Sequence, residues 1–272
     1  TYSIQQQTLR NAGRTQANLA ELQKQLSSGH KADQFSGLDG QVEQFTYVDA
    51  TLRKTDTYIA DTELALSRLG TTQATMEKLI QLADDAKNLI LLRRNPSASE
   101  SLDFTARMEA LKRTAAGLLN TTFEGRYLFG GTRTDIAPVE EAPGTNAALG
   151  VPDDSYYLGS TEDITVRVQD SVDLVYNVRA DAEGFQKMFA AMNLGQHGDA
   201  SGSDTVLGDA FTMIKDAIED INASQARVNS NTVILNDAKD RHSDLKGYWK
   251  GVKEEVINTD IVGVSTQIAT DQ

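Results

Sequence analysis

The sequence predicts a mainly α-helical protein: a long-helix, coiled-coil-like bundle formed by the N- and C-terminal segments, with a small β-rich insertion at its centre, α+β overall. Three observations predict it. All four prolines lie at positions 96, 138, 143 and 152, so the flanking stretches lack the residue that most strongly breaks helices. A strict 3,4 spacing runs through Phe45, Val48, Leu52, Thr55, Ile59, Thr62, Leu66, Leu69, Gln73, Met76, Ile80, Ala83, Lys87 and Ile90, and ten of these fourteen are apolar. Between Tyr127 and Val178 that period disappears, and two alternating runs replace it, Ile164-Thr165-Val166-Arg167-Val168 and Leu174-Val175-Tyr176-Asn177-Val178.

Taken in order, Ile4 to Leu26 reads as a weaker helix, with Thr15, Leu19, Leu22 and Leu26 on one face and a Gln-rich remainder. Gly29 is placed to stop it, and a loop containing Gly37 and Gly40 follows. The long 3,4 stripe comes next, its polar members suiting a bundle better than a free-standing zipper. After the turn Arg94-Asn95-Pro96-Ser97, a further helix is expected over Ser99 to Phe123. Beyond the β-rich segment, a short helix from Ala182 to Met192 and a Gly/Ser/Asp loop from Gly195 to Asp204 lead back to the bundle. The last stripe comprises Leu207, Ala210, Ile214, Ala217, Ile221, Val228, Leu235, Ala238, His242, Leu245, Trp249, Val252 and Val256. The expected division is therefore nested: terminal assembly segments at 1–40 and 251–272, a helical bundle at 41–132 and 183–250, and the insertion at 133–182.

Composition removes several function classes. With 39 acidic against 26 basic residues the chain carries a formal charge of −13. Such a surface repels nucleic acid, which needs clustered Lys and Arg, and disfavours an anionic bilayer. Cysteine is absent, which removes disulfides, thiolate nucleophiles and thiolate-ligated metals. No run of about 18 apolar residues is present, so membrane insertion is not expected. The opening Thr1-Tyr2-Ser3-Ile4-Gln5-Gln6-Gln7 does not read as a cleaved leader, and a first residue other than Met reads as a trimmed or processed chain.

No constellation for catalysis, cofactor or metal emerges. His30, His197 and His242 are far apart and none belongs to an HxxxH or HExxH pattern, and His242 falls on the last stripe, where packing accounts for it. The pairs Asp84-Asp85, Asp153-Asp154 and Glu254-Glu255 are adjacent, so on a helix they diverge by about 100° and read as solvated faces. Gly130-Gly131-Thr132 lacks the Lys-Ser/Thr of a phosphate loop and reads as a sharp turn into the insertion. Asn120-Thr121-Thr122 and Asn222-Ala223-Ser224 match the glycosylation sequon but fall in expected helices, so both read as chance. Tyr248 and Trp249 could form an exposed patch, though an aromatic at a stripe position is more often core.

Several segments resemble the bacterial flagellin and flagellar hook-filament junction (hook-associated) family. Leu26-Ser27-Ser28-Gly29, ending the first amphipathic helix, resembles the family's Leu-Ser-(Ser/Thr)-Gly turn. Gly125-Arg126-Tyr127-Leu128-Phe129-Gly130-Gly131-Thr132 resembles the Gly-x-Tyr-Leu-Phe-(Ser/Gly)-Gly-Thr motif that joins bundle to β domain in junction proteins, and it is the most specific of the matches. Arg227-Val228-Asn229-Ser230-Asn231 is similar to the Arg-x-Asn stretch of the returning helix, and Asp260 with Ile261 and Val262 resembles the Asp-aliphatic segment near the C terminus. The resemblance covers 1–132 and 205–272. Two departures stand beside it: the loop Lys31 to Leu38 differs from the family's usual sequence, and family members continue past the equivalent of Gln272 into an apolar helix, whose removal is expected here.

The resemblance implies a structural subunit with no enzymatic activity and no cofactor, assembling with copies of itself and with other flagellar axial proteins, hook-associated protein and flagellin. It further implies an export chaperone, and an extracellular place in the flagellum reached without a cleaved signal peptide. The junction between hook and filament is the favoured role. Flagellin forming the filament itself is one alternative. The other is a cell-surface module binding a glycan or host receptor, with Tyr156, Tyr176 and Tyr157 as the aromatics that could stack on sugar.

Overall fold

A computed structural model describes residues 2–29, 42–95, 103–140, 149–258, 264–266 and 268–269. The loop expected over Lys31 to Leu38, with Gly37 and Gly40, lies outside the described residues, as do His30 and Asp260. In chain order the elements are α1 (Tyr2–Ser28), α2 (Val42–Arg93), α3 (Phe104–Leu119), β1 (Thr122–Phe123), β2 (Arg126–Tyr127), β3 (Thr165–Gln169), β4 (Val172–Val175), α4 (Glu183–Ser201) and α5 (Asp204–Ile257). The described residues are thus mainly α-helical, with two small antiparallel hairpins among them, β1-β2 and β3-β4, in the middle of the chain. Two compact units are present, residues 1–59 with 241–272, and residues 60–240.

In the first unit, α1 ends where expected: Gly29 adopts φ +71°, and its N–H donates to the Gln25 carbonyl at 2.9 Å. Its apolar face stays largely uncovered, with Leu19 and Leu22 half-buried and Leu9 and Leu26 exposed. The start of α2 and the end of α5 pack through Val48, Leu52, Thr55, His242 and Val256, all buried. Ion pairs flank this seam, Lys253 to Asp49 at 2.6 Å and Lys246 to Asp56 at 2.5 Å. Ring contacts add to it: Tyr58 meets His242 at 5.1 Å, and Tyr47 meets Trp249 edge-on at 5.8 Å. Leu245 departs from expectation, because this stripe position is 47% exposed. A seam of two helices shields only the positions at its centre, so a residue on its flank keeps much of its surface in water.

In the second unit the α2 stripe is buried at Thr62, Leu69, Met76, Ala83 and Ile90 and half-buried at Leu66, Gln73, Ile80 and Lys87. A second row on the same helix, Ala65, Thr72, Thr75, Leu79, Leu82, Ala86 and Leu89, is buried as well. The helix therefore presents two faces to the core, as one inside a multi-helix bundle must. The α5 stripe from Leu207 to Ala238 is buried at every position named above.

Helix α3 is capped by Asp103, whose carboxylate accepts from Ala106 N–H at 3.2 Å. It ends at Leu119, earlier than the Phe123 expected from sequence. The Asn120 side chain instead bonds the Val139 backbone both ways, donating to its carbonyl at 2.8 Å and accepting from its N–H at 3.0 Å. Thr122 and Phe123 then pair with Tyr127 and Arg126 across a turn in which Glu124 and Gly125 both have positive φ, 51° and 74°.

The segment expected as a loop from Gly195 to Asp204 is instead helical as far as Ser201, so α4 is longer than the expected Ala182 to Met192. Two of its glycines serve close packing rather than a turn. A Cβ on Gly198 would lie 2.9 Å from the Leu207 side chain, and one on Gly184 would lie 2.9 Å from Ile221 N. Only Gly202, at φ +62°, ends the helix.

Candidate functional site

The motif residues Gly125 to Thr132 and Asn231 meet at the joint between the β segment and the helices. Gly125 and Leu128 to Thr132 each have a distinct task there. Gly125 makes the hairpin turn, and the Leu128 N–H donates to the Thr121 carbonyl at 3.0 Å, folding the strand back on the end of α3. That places Leu128 and Phe129 in the core, where Phe129 meets Phe185 of α4 edge-on at 6.3 Å. The Phe129 carbonyl accepts from Ala180 N–H at 2.9 Å, and the Gly130 carbonyl accepts from Ser160 N–H at 2.9 Å.

The two glycines are required by space. A Cβ on Gly130 would sit 2.4 Å from the Arg133 carbonyl oxygen, and one on Gly131, at φ +63°, would sit 2.3 Å from that of Ser160. Thr132 completes the motif by donating its hydroxyl to Ser160 Oγ at 2.9 Å, while its N–H donates to the Glu162 carbonyl at 3.2 Å.

Helices hold the other side of the joint. Asn231 of α5, buried, donates its side-chain amide to the Val175 carbonyl of β4 at 3.0 Å. Arg68 of α2 donates from Nη1 to the Tyr176 hydroxyl at 3.1 Å. Asn177 accepts the Ile164 N–H at 2.9 Å, closing the base of the β3-β4 hairpin. Arg179 bonds Asp163 at 2.7 Å and Asp181 at 2.9 Å, fixing the exit toward α4.

The tyrosines named as sugar-stacking candidates are structural. Tyr156 is buried, packs on Phe189 at 4.7 Å between ring centres, and donates its hydroxyl to the Ala180 carbonyl at 2.8 Å. Burial, with Asp181 nearby, pushes its phenol far above the usual range. Tyr176 is buried too. Tyr157 is half-buried and donates to the Ser160 carbonyl at 2.7 Å, and burial first, then Asp181, raises its phenol to about 12. Burial closes the rings of Tyr156 and Tyr176 to the stacking that sugar recognition needs.

Of the remaining motif residues, Arg227 and Asn229 are exposed on α5, away from the buried face that carries Asn231. Leu26, Ser27, Ser28 and Gly29 form the end of α1 in the other unit, where Ser27 donates its hydroxyl to the Lys24 carbonyl at 2.9 Å. Tyr248 is exposed and touches the half-buried Trp249 at 5.1 Å, so the pair is a partly open aromatic surface. Arg68, Asn120 and Asn177 were not legible as joint residues, because each pairs with groups remote in sequence. No group of three or more His, Cys, Asp or Glu side chains among the described residues could hold a metal ion.

Residues 1–134 match the bacterial flagellin N-terminal helical region. No curated protein matches the chain. Among solved structures, the fold is similar to that of a flagellar hook-associated protein of Vibrio parahaemolyticus, at 14% identity and TM-score 0.64, covering 79% of this chain and 96% of that one. It is also similar to FlgL of Bacillus cereus, at 17% identity and TM-score 0.59, covering 78% of this chain and 99% of that one.

Proposed function

From the match of residues 1–134 to the bacterial flagellin N-terminal helical region, we propose that the chain is a structural subunit of the flagellum, of the flagellin family, that connects hook to filament. The observation that carries the reading is α1: a 27-residue helix with an apolar face left mostly in water, which gains stability only when another helix covers it. Copies of the chain, and neighbouring hook-associated and flagellin subunits, are the partners that would supply such a cover. Residues 1–40 and 251–272 act as the assembly segments, 41–132 and 183–250 as the bundle, and 133–182 as the outward insertion.

Charge supports this division. Most of the excess of acidic residues falls within 60–240, leaving the terminal unit close to neutral and able to approach its copies without strong repulsion. A junction subunit is favoured over a filament subunit by the Gly125 to Thr132 joint and the small size of the insertion it holds. The family is one of structural proteins, and the subunit acts by assembly. Its place is in the flagellum outside the cell, and before assembly an export chaperone covers the α1 face.

Seeding tests the role. The purified chain is added to hooks and to filament fragments and imaged by electron microscopy. A short cap that stops growing until flagellin is supplied is the expected outcome. Long filaments would make the chain a filament flagellin, and absence of any association would overturn both assignments.

A further inference from the structure

Two buried donors of the joint are left without an acceptor among the described residues, and both belong to residues that line one cavity. They are Arg68 Nε and Asn177 Nδ2. The orientation of Asn177 is set independently of the cavity, because its Oδ1 must face the Ile164 N–H that it accepts at 2.9 Å. Its amide nitrogen is thereby turned the other way, in a residue only 6% exposed. The cavity has a volume of about 10 Å³, and Thr72, Tyr127 and Leu128 complete its wall.

We propose that this cavity binds one water molecule as a fixed part of the joint, accepting from Arg68 Nε–H and from Asn177 Nδ2–H. The chemistry of the wall asks for an acceptor, since two residues of the wall each hold a buried N–H without a partner and no Asp or Glu lines the cavity. Size then decides which acceptor. The volume is close to the roughly 10–15 Å³ that one water needs, and leaves no room for a carboxylate or phosphate. The hydroxyl of Thr72 can receive one of the water's own hydrogens, giving the three partners typical of buried water. With the direct Arg68 to Tyr176 bond, the water makes α2 grip the residues after β4 at two points, and Arg68 becomes a two-sided clamp.

The test is a high-resolution crystal structure of the chain, grown once with chloride and once with bromide as the only halide, alongside water-exchange NMR of the labelled protein. Density for a single oxygen about 3 Å from both nitrogens, with no anomalous bromide signal there and a long-lived water cross-peak to the Asn177 amide, is the expected result. A bromide peak in the cavity would overturn the proposal in favour of a halide. An empty cavity with no water cross-peak would overturn it in favour of a dry joint that tolerates two unpaired donors.

Discussion

Asn231 on α5 and Val175 on β4 are joined by a side-chain to backbone hydrogen bond of 3.0 Å across 56 residues of sequence. It ties the β3-β4 hairpin to the returning helix, and the bond comes from the one asparagine of its motif that points inward. Asn231 is 6% exposed, whereas Asn229 lies in water.

Replacing Asn231 by Ala removes a buried hydrogen bond, which costs about 1–2 kcal/mol. Asn229→Ala, on the solvent face, is expected to stay within about 0.5 kcal/mol of the parent. Urea unfolding of the two variants separates them, and equal effects would mean that the Val175 bond contributes nothing.

Gly131→Ala and Gly125→Ala impose the same kind of backbone strain but meet different surroundings. Both sites have positive φ, so each substitution costs about 1–2 kcal/mol from conformation alone. Only at Gly131 does the new methyl group collide with backbone, at 2.3 Å from the Ser160 oxygen, while nothing lies within 4 Å at Gly125. Thermal unfolding should show Gly131→Ala as clearly the worse of the two, and the reverse order would refute the close approach.

Two helical glycines should respond with opposite sign. Gly117 in α3 has open space, so alanine there gains up to about 1 kcal/mol of helix propensity. At Gly198 the same gain is outweighed, because a Cβ would press on Leu207 and overpacking costs about 1–3 kcal/mol. Melting temperatures are expected to rise for the first and fall for the second.

Tyr157 predicts an alkaline limit. Its phenol titrates at about 12 in the folded protein, against about 10 in an unfolded chain. A raised folded value means that the neutral form is favoured by folding. The associated stability is therefore complete below about pH 10 and is lost as pH climbs toward 12. Tyr157→Phe should flatten the fall in urea midpoint over that window, and tyrosinate absorbance appearing at the ordinary pH for this residue would contradict the assignment.

Much of this architecture was legible in the sequence. The 3,4 stripes of α2 and α5 marked the long helices, since a helix that buries one face must repeat apolar residues at that spacing whatever it packs against. Gly29 marked the end of α1, and the alternation over Ile164–Val168 and Leu174–Val178 marked the β3-β4 hairpin, because turn and pleat chemistry are local, although β4 itself lies earlier, at Val172–Val175. Tertiary structure decided the rest. Gly198 read as a loop residue until the Leu207 side chain, 2.9 Å from where its Cβ would lie, showed why α4 needs it small. Asn120 ends α3 because Val139 offers it two backbone bonds, and Leu245 is exposed because a two-helix seam does not cover its flank. The joint of Arg68, Asn177 and Asn231 joins residues far apart in the chain, and periodicity carries no record of which remote group a buried polar side chain will meet.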